Sequence, residues 1–207
     1  MSVPQASVAD GFGLIVVSAP SGAGKSSLCV RLLQKLQDRL ALSISTTSRA
    51  PRGSEANGVE YFFVSPQEFE EKIHANEFAE WARVHGNYYG TSKQTLSRFW
   101  SARKHVLLDI DVQGAKTLKD AFPGRTLTVF ISPPSLEVLE QRLRGRGTES
   151  EEAIRKRMTN ATEEMSRQEE FLRVILNDDF ERAYAELESE VIRFMDALEG
   201  GTWPSRG

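Results

Sequence analysis

Four short apolar runs punctuate the chain: Leu14-Ile-Val-Val17, Val106-Leu-Leu-Asp-Ile110, Leu127-Thr-Val-Phe-Ile131 and Val174-Ile-Leu176. Runs of this length without polar alternation predict strands buried on both faces, as in a parallel sheet. Between them the apolar positions recur at helical spacing. Leu28, Leu32, Leu36 and Leu40 fall every four residues, and Phe180, Tyr184, Leu187, Val191, Phe194 and Leu198 recur every three or four near the C-terminus. Each set shares one helix face. Ser135, after Pro133-Pro134, predicts a helix N-cap. Thr148 with Glu151 predicts a capping box.

Strands alternating with helices predict a doubly wound α/β fold. Two stretches break the alternation. Residues 46–94 are rich in Ser, Thr, Gly, Asn and aromatics, with the hairpin-like run Tyr61-Phe-Phe-Val64. Residues 139–171 are dense in charge and helical in pattern. Both read as lobes inserted into the α/β core.

Composition narrows the picture. The 207 residues suit one domain with inserted lobes. With 40% apolar and 27% charged residues the chain can bury a core. A net charge of −3 speaks against a general nucleic-acid binder. Cys29 is the sole cysteine, so no internal disulfide can form and a reducing cytoplasm is expected. His74, His85 and His105 lack metal-ligand spacing and read as scattered surface residues. The N-terminal ten residues lack the basic and apolar regions of a signal peptide. No segment is apolar for long enough to span a bilayer. Gly200–Gly207 reads as a loose tail.

The chemistry begins at Ala19-Pro20-Ser21-Gly22-Ala23-Gly24-Lys25-Ser26, which matches the phosphate-loop pattern G-x-x-x-x-G-K-[ST] with Ala19 in the first glycine's place. Gly22 and Gly24 let backbone N–H groups turn inward around a phosphate. Lys25 supplies a cation, the Ser26 hydroxyl can ligate Mg2+, and the helix that follows aims its positive end at the anion. Asp109 and Asp111 end a predicted strand, where carboxylates face the ligand crevice of a parallel sheet. Asp109 can hold the Mg2+ shell as a Walker B acid does.

The loop leaves the acceptor unnamed. Beyond it run Ser43-Ile-Ser45-Thr-Thr-Ser-Arg49-Ala-Pro51-Arg52, Asn57-Gly-Val-Glu-Tyr61-Phe-Phe, Glu77-Phe-Ala-Glu80-Trp-Ala and Gly86-Asn-Tyr-Tyr89-Gly-Thr91. Then come Leu108-Asp-Ile-Asp111-Val-Gln-Gly114, Ser132-Pro-Pro-Ser135, Arg142-Leu-Arg-Gly-Arg146-Gly-Thr148 and Ile175-Leu-Asn177-Asp-Asp. Together, in order and over residues 11 to about 192, these segments resemble the guanylate kinase family.

The resemblance implies a P-loop NTP hydrolase-like doubly wound parallel sheet formed by residues 11–45, 95–138 and 172–192. It implies a GMP-binding lobe at 46–94 and a helical lid at 139–171, with 1–10 and 193–207 as tails. It implies transfer of the γ-phosphoryl of ATP to GMP, and to dGMP, with Mg2+, in the cytoplasm. The partners implied are these small molecules, not nucleic acid or membrane. The positions that match the family's ATP site are Ala19 through Ser27 (Pro20, Ser21, Gly22, Ala23, Gly24, Lys25 and Ser26 between them), with Asn177 near adenine. Arg49, Arg52, Tyr61 and Tyr89 would bind the GMP phosphate, and Ser45, Glu80, Thr91 and Asp111 the guanine. Lys25, Arg142, Arg146 and Arg157 would surround the transferring group, and Ser26 and Asp109 would hold the metal. Thr91 stands where related sequences often have Ser, and the hydroxyl is kept.

The residue types suit these roles. Two guanidinium forks three residues apart grip a phosphate dianion in a way lysine cannot. A carboxylate in an apolar setting, as at Glu80, can accept from the ring N–H and exocyclic amine of guanine, whereas adenine presents a lone pair there. Glu68, Glu70, Glu71 and Glu77 are nearby, so the residues alone do not single out Glu80. Lid arginines match charge on a transferring phosphoryl group, although the acids around them equally suit a salt-bridged helix. No covalent nucleophile is needed, since the GMP phosphate oxygen is already an anion. Cys29, among leucines, reads as core packing. Two other readings use the same residues: a noncatalytic scaffold of the same architecture, and a kinase for a different phosphorylated acceptor.

Overall fold

The computed structural model describes residues 11–84, 86–145 and 150–203. Along the chain run β1 (Leu14–Ser18), α1 (Lys25–Lys35), β2 (Leu40–Leu42), β3 (Thr46–Thr47), β4 (Phe62–Phe63), α2 (Pro66–His74), β5 (Phe78–Val84) and β6 (Asn87–Ser92). They are followed by α3 (Lys93–Ser101), β7 (His105–Asp109), α4 (Val112–Ala121), β8 (Thr126–Ser132), α5 (Leu136–Arg144), α6 (Glu151–Ser166), β9 (Arg173–Leu176) and α7 (Phe180–Glu199).

The four apolar runs become β1, β7, β8 and β9 of an all-parallel sheet in the order β2-β7-β1-β8-β9. Alternate side chains feed two cores. Ile15 and Val17 join Leu28, Leu32, Leu187 and Phe194 on the α1–α7 face. Leu14 and Val16 join Leu96, Trp100, Ala115 and Leu118 on the α3–α4 face. Helices cover both faces of β1, β7 and β8, which is why these strands read as unbroken apolar runs. Strand β9, expected to be buried on both faces, lies at the sheet edge and buries only Ile175, with Val174 and Leu176 exposed. Residues 46–92 hold a second sheet, ordered β4-β3-β6-β5. Helices α5 and α6 share a small cluster of their own: Leu139, Leu143 and Ala161, with Leu136 and Met158 against it.

Several expectations need correction. The leucine stripe does not mark one helix to Leu40: α1 ends at Lys35, and Leu40 opens β2 opposite His105. Leu28, Leu32 and Leu40 nevertheless fill one core, so the apolar spacing survives a change of element. The run Tyr61–Val64 forms no hairpin, because β4 pairs in parallel with β3. Ser150 caps α6, accepting from the Ala153 N–H, while Thr148 lies outside the described residues. Helix α7 runs on past residue 192, with Phe194 and Met195 fully buried. Trp203 packs edge-on against Phe194 at 4.8 Å, so residues 193–203 belong to the folded domain. His105 is not a surface residue but is fully buried. Its Nδ1 accepts from the Gly13 N–H at 3.2 Å, and its Nε2 lies 3.0 Å from Glu199. His74 is exposed, as expected, and His85 lies outside the described residues.

Candidate functional site

At the carboxyl ends of β1 and β7 opens a cleft of about 420 Å3. One wall is the loop after β1. Gly22 and Gly24 have φ of 99° and 93°, conformations that side chains resist. Gly22 also faces Leu139 and Leu143 of α5: a Cβ there would come within 3.1 Å of each. Gly24 begins α1 without any side-chain cap, whereas Ser65, Ser92, Asp111, Ser135, Ser150 and Asp179 cap α2 to α7. The first N–H groups of α1 therefore stay available to an anion.

Val17 is in register with Asp109 on the neighbouring strand. This brings the Asp109 carboxylate to Lys25, whose ammonium donates to its Oδ1. Burial alone would lower the Lys25 pKa, but the adjacent carboxylate outweighs it and the value rises. Ser26, Ser27, Ser21 and Pro20 complete this wall. Ala19 lines it and packs partly on the core below, a place where a methyl group is accommodated.

The opposite wall comes from the inserted lobe. A bulge in β5 sets Phe78 opposite Ser92 but Glu80 opposite Thr91. Without it Phe78 and Glu80 would share a face; with it Phe78 stacks on Phe69 of α2 at 4.5 Å while Glu80 turns into the cleft. Glu80 is only 5% exposed and accepts from the Thr91 hydroxyl at 2.6 Å. Burial pushes its carboxyl up to about 7, against the Thr91 hydrogen bond and with help from Asp111. Asp111 lines the cleft while capping α4 through the Gln113 and Gly114 N–H groups. Ser45, Tyr61 and Tyr89 also line it, the two rings meeting edge-on at 5.9 Å.

The remaining expected residues stand behind these walls. Arg49 is buried, 5.3 Å over the Tyr61 ring, and donates to Glu55 Oε1 at 3.0 Å. Arg52 is exposed, and its backbone N–H donates to Glu55 Oε2 at 2.8 Å. Neither arginine lines the cleft. Thr91 sits fully buried behind Glu80. Arg157 of α6 donates to the Ser21 hydroxyl at 2.7 Å, and Arg142 of α5 donates to the Asn177 carbonyl at 3.0 Å. Asn177 is buried, with its amide donating to the Ala23 carbonyl at 2.6 Å. Its side chain braces the phosphate loop from beneath. Arg146 lies outside the described residues.

Five further residues, none assigned a role from the sequence, shape the site. Glu55 binds the Arg49–Arg52 turn together. Gly114 allows α4 to approach Glu80, since a Cβ there would lie 2.8 Å from Oε2. Ile110 and Val84 line the cleft, as does Glu164 of α6. Only Glu164 carried a usable signal, its helical spacing from Arg157.

Ser26 and Asp109 make a donor pair of one hydroxyl and one carboxylate beside the uncapped helix end. This set fits a hard divalent ion that keeps waters and phosphate oxygens as its other ligands. Among the described residues no group of three or more His, Cys, Asp or Glu side chains could hold a metal unaided.

The family model described as guanylate kinase matches residues 13–193. A guanylate kinase of Idiomarina loihiensis is 51% identical over 180 residues, covering 86% of this chain and 85% of that protein. One from Rickettsia felis is 45% identical over 179 residues, covering 86% and 92%. The crystal structure of guanylate kinase from Anaplasma phagocytophilum superposes with a TM-score of 0.70 at 31% identity, covering 89% of this chain and 86% of that one.

Proposed function

The chain belongs to the guanylate kinase family, and on that premise we propose how its cleft transfers the γ-phosphoryl group of ATP to GMP. The observation that carries the reading is the buried Glu80–Thr91 pair facing Lys25 and the uncapped end of α1 across a single cleft. One end suits a purine with two N–H donors, the other a polyphosphate.

In this reading the N–H groups of the loop and of the first turn of α1 receive the ATP phosphates, and Lys25 exchanges its Asp109 partner for their oxygens. Ser26 and Asp109 would hold Mg2+, which when bound neutralises and orients the β- and γ-phosphoryl oxygens. Glu80, as a carboxylate, accepts from the guanine ring N–H and amine, with Ser45, Thr91 and Asp111 around the base. Tyr61 and Tyr89 donate to the GMP phosphate, backed by Arg49, once its guanidinium leaves Glu55, and by the exposed guanidinium of Arg52. An oxygen of that phosphate then lies in line with the γ-phosphorus and attacks as an anion, so no general base is required. Arg142 and Arg157 would turn from the Asn177 carbonyl and the Ser21 hydroxyl to the transferring group, and Arg146 is assigned to it by its motif. Catalysis is alignment and charge matching in a site from which water is excluded.

Use of dGMP, dependence on Mg2+ and residence in the cytoplasm belong to the same proposal. Among the described residues no helix is long and apolar enough to cross a membrane. A coupled assay with ATP and Mg2+ against GMP, dGMP, AMP, UMP and CMP tests the reading. GMP should be turned over fastest; a folded protein inert with GMP would refute it.

A further inference from the structure

Glu164 has no place in the mechanism above, yet it lines the cleft. It belongs to α6, where Arg157, Ala161 and Glu164 share one face at helical spacing. Arg157 on that face reaches Ser21 of the phosphate loop, and Ala161 packs with Leu139 and Leu143 of α5. The face therefore roofs the cleft, with Glu164 two turns further along than Arg157. The charged groups that act on Glu164 are Lys25, Asp111 and its helix neighbour Glu163. Lys25 marks the phosphoryl end of the cleft and Asp111 the base end. A group within reach of both lies over the middle, where the sugar of a bound acceptor nucleotide must sit.

The carboxylate is half-buried and has no hydrogen-bond or ion-pair partner among the described residues. Burial pushes its carboxyl up to about 7 even with the opposing pull of Lys25. Such a group needs a donor to offset its lost hydration. A phosphate would be repelled by it, and the base is already matched by Glu80. A sugar diol offers two O–H donors at the spacing a carboxylate accepts.

We propose that Glu164 recognises the sugar of the acceptor nucleotide by accepting hydrogen bonds from its 2′- and 3′-hydroxyls. The proposal rests on the GMP kinase reading and adds a subsite to it. A hydrogen bond to a charged group predicts a change of roughly 10- to 100-fold when it is lost.

The test measures kcat/KM for GMP, 2′-deoxy-GMP and 3′-deoxy-GMP in the wild type, Glu164→Gln and Glu164→Ala, with the KM for ATP alongside. In the wild type at least one deoxy analogue should be disfavoured by roughly 10- to 100-fold. The penalty should shrink in Glu164→Gln, which keeps one acceptor, and vanish to within about threefold in Glu164→Ala, with the KM for ATP unchanged. The proposal is overturned if the wild type uses both analogues as well as GMP, or if Glu164→Ala loses the same factor on all three acceptors. A wild-type protein inert with GMP would defeat the underlying function, so the two failures are distinguishable.

Discussion

Replacing Glu80 by Gln should weaken function and strengthen the fold, in amounts that depend on pH. Glu80 is 5% exposed, and its carboxyl is displaced from an ordinary value of 4.5 to about 7. Between those values the folded protein binds more protons than the unfolded chain, so stability falls as pH rises through that window. The displacement corresponds to roughly 3 kcal/mol, fully expressed above pH 7. Glutamine cannot ionise, and its carbonyl still accepts from the Thr91 hydroxyl. The variant should therefore melt higher than the wild type at pH 8, by up to about 10 °C at a few degrees per kcal/mol for a chain of this size. At pH 5 the two should differ by far less. Thermal unfolding followed by circular dichroism at both pH values reads this directly. A melting gap that is the same at pH 5 and pH 8 would refute the argument that a buried, ionising carboxyl strains the site. The same substitution points an amide N–H at the guanine donors. It should lower kcat/KM for GMP by roughly 10⁴-fold while leaving the KM for ATP unchanged.

The other substitutions separate the two ends of the cleft. Lys25→Ala should lower kcat by roughly 10³-fold or more yet leave GMP affinity, measured by calorimetry, nearly intact; a collapse of GMP binding would contradict separate donor and acceptor sites. Gly114→Ala would bring a methyl carbon 2.8 Å from Glu80 Oε2 and 3.1 Å from the Ile110 side chain. The KM for GMP should rise roughly tenfold, equivalent to about 1.4 kcal/mol of misplacement, and an unchanged KM would show that α4 yields freely. Asn177→Ala removes the 2.6 Å support of the Ala23 carbonyl. It should cost about 1–3 kcal/mol of stability and raise the KM for ATP more than that for GMP, with equal rises counting against a role in bracing the phosphate loop.

The central strands β1, β7 and β8 are legible because a parallel strand covered on both faces must be apolar on both. The phosphate loop is legible because its chemistry is local: two glycines, a lysine and a serine within five positions leave little freedom. Leu40 and Phe194 mark the limits of pattern reading. Leu40 keeps the helical spacing after the helix has ended, and Phe194 falls beyond the resemblance yet is fully buried.

Glu80 shows where the sequence runs out. From residue types alone it is one acid among five, and the family resemblance selected it. Its environment depends on a one-residue bulge in β5, a glycine in α4 that is 34 positions away in sequence, and a hydroxyl on the paired strand. Glu55 and Glu164 depend in the same way on a turn and on helix α6 meeting distant parts of the chain. The sequence by itself determined the α/β class, the position of the glycine-rich loop between β1 and α1, and the family. Tertiary structure decided which carboxylates are buried, which arginines stand behind the cleft and which side of each strand faces it. Strand register and burial arise from contacts between distant segments, and no local pattern encodes them.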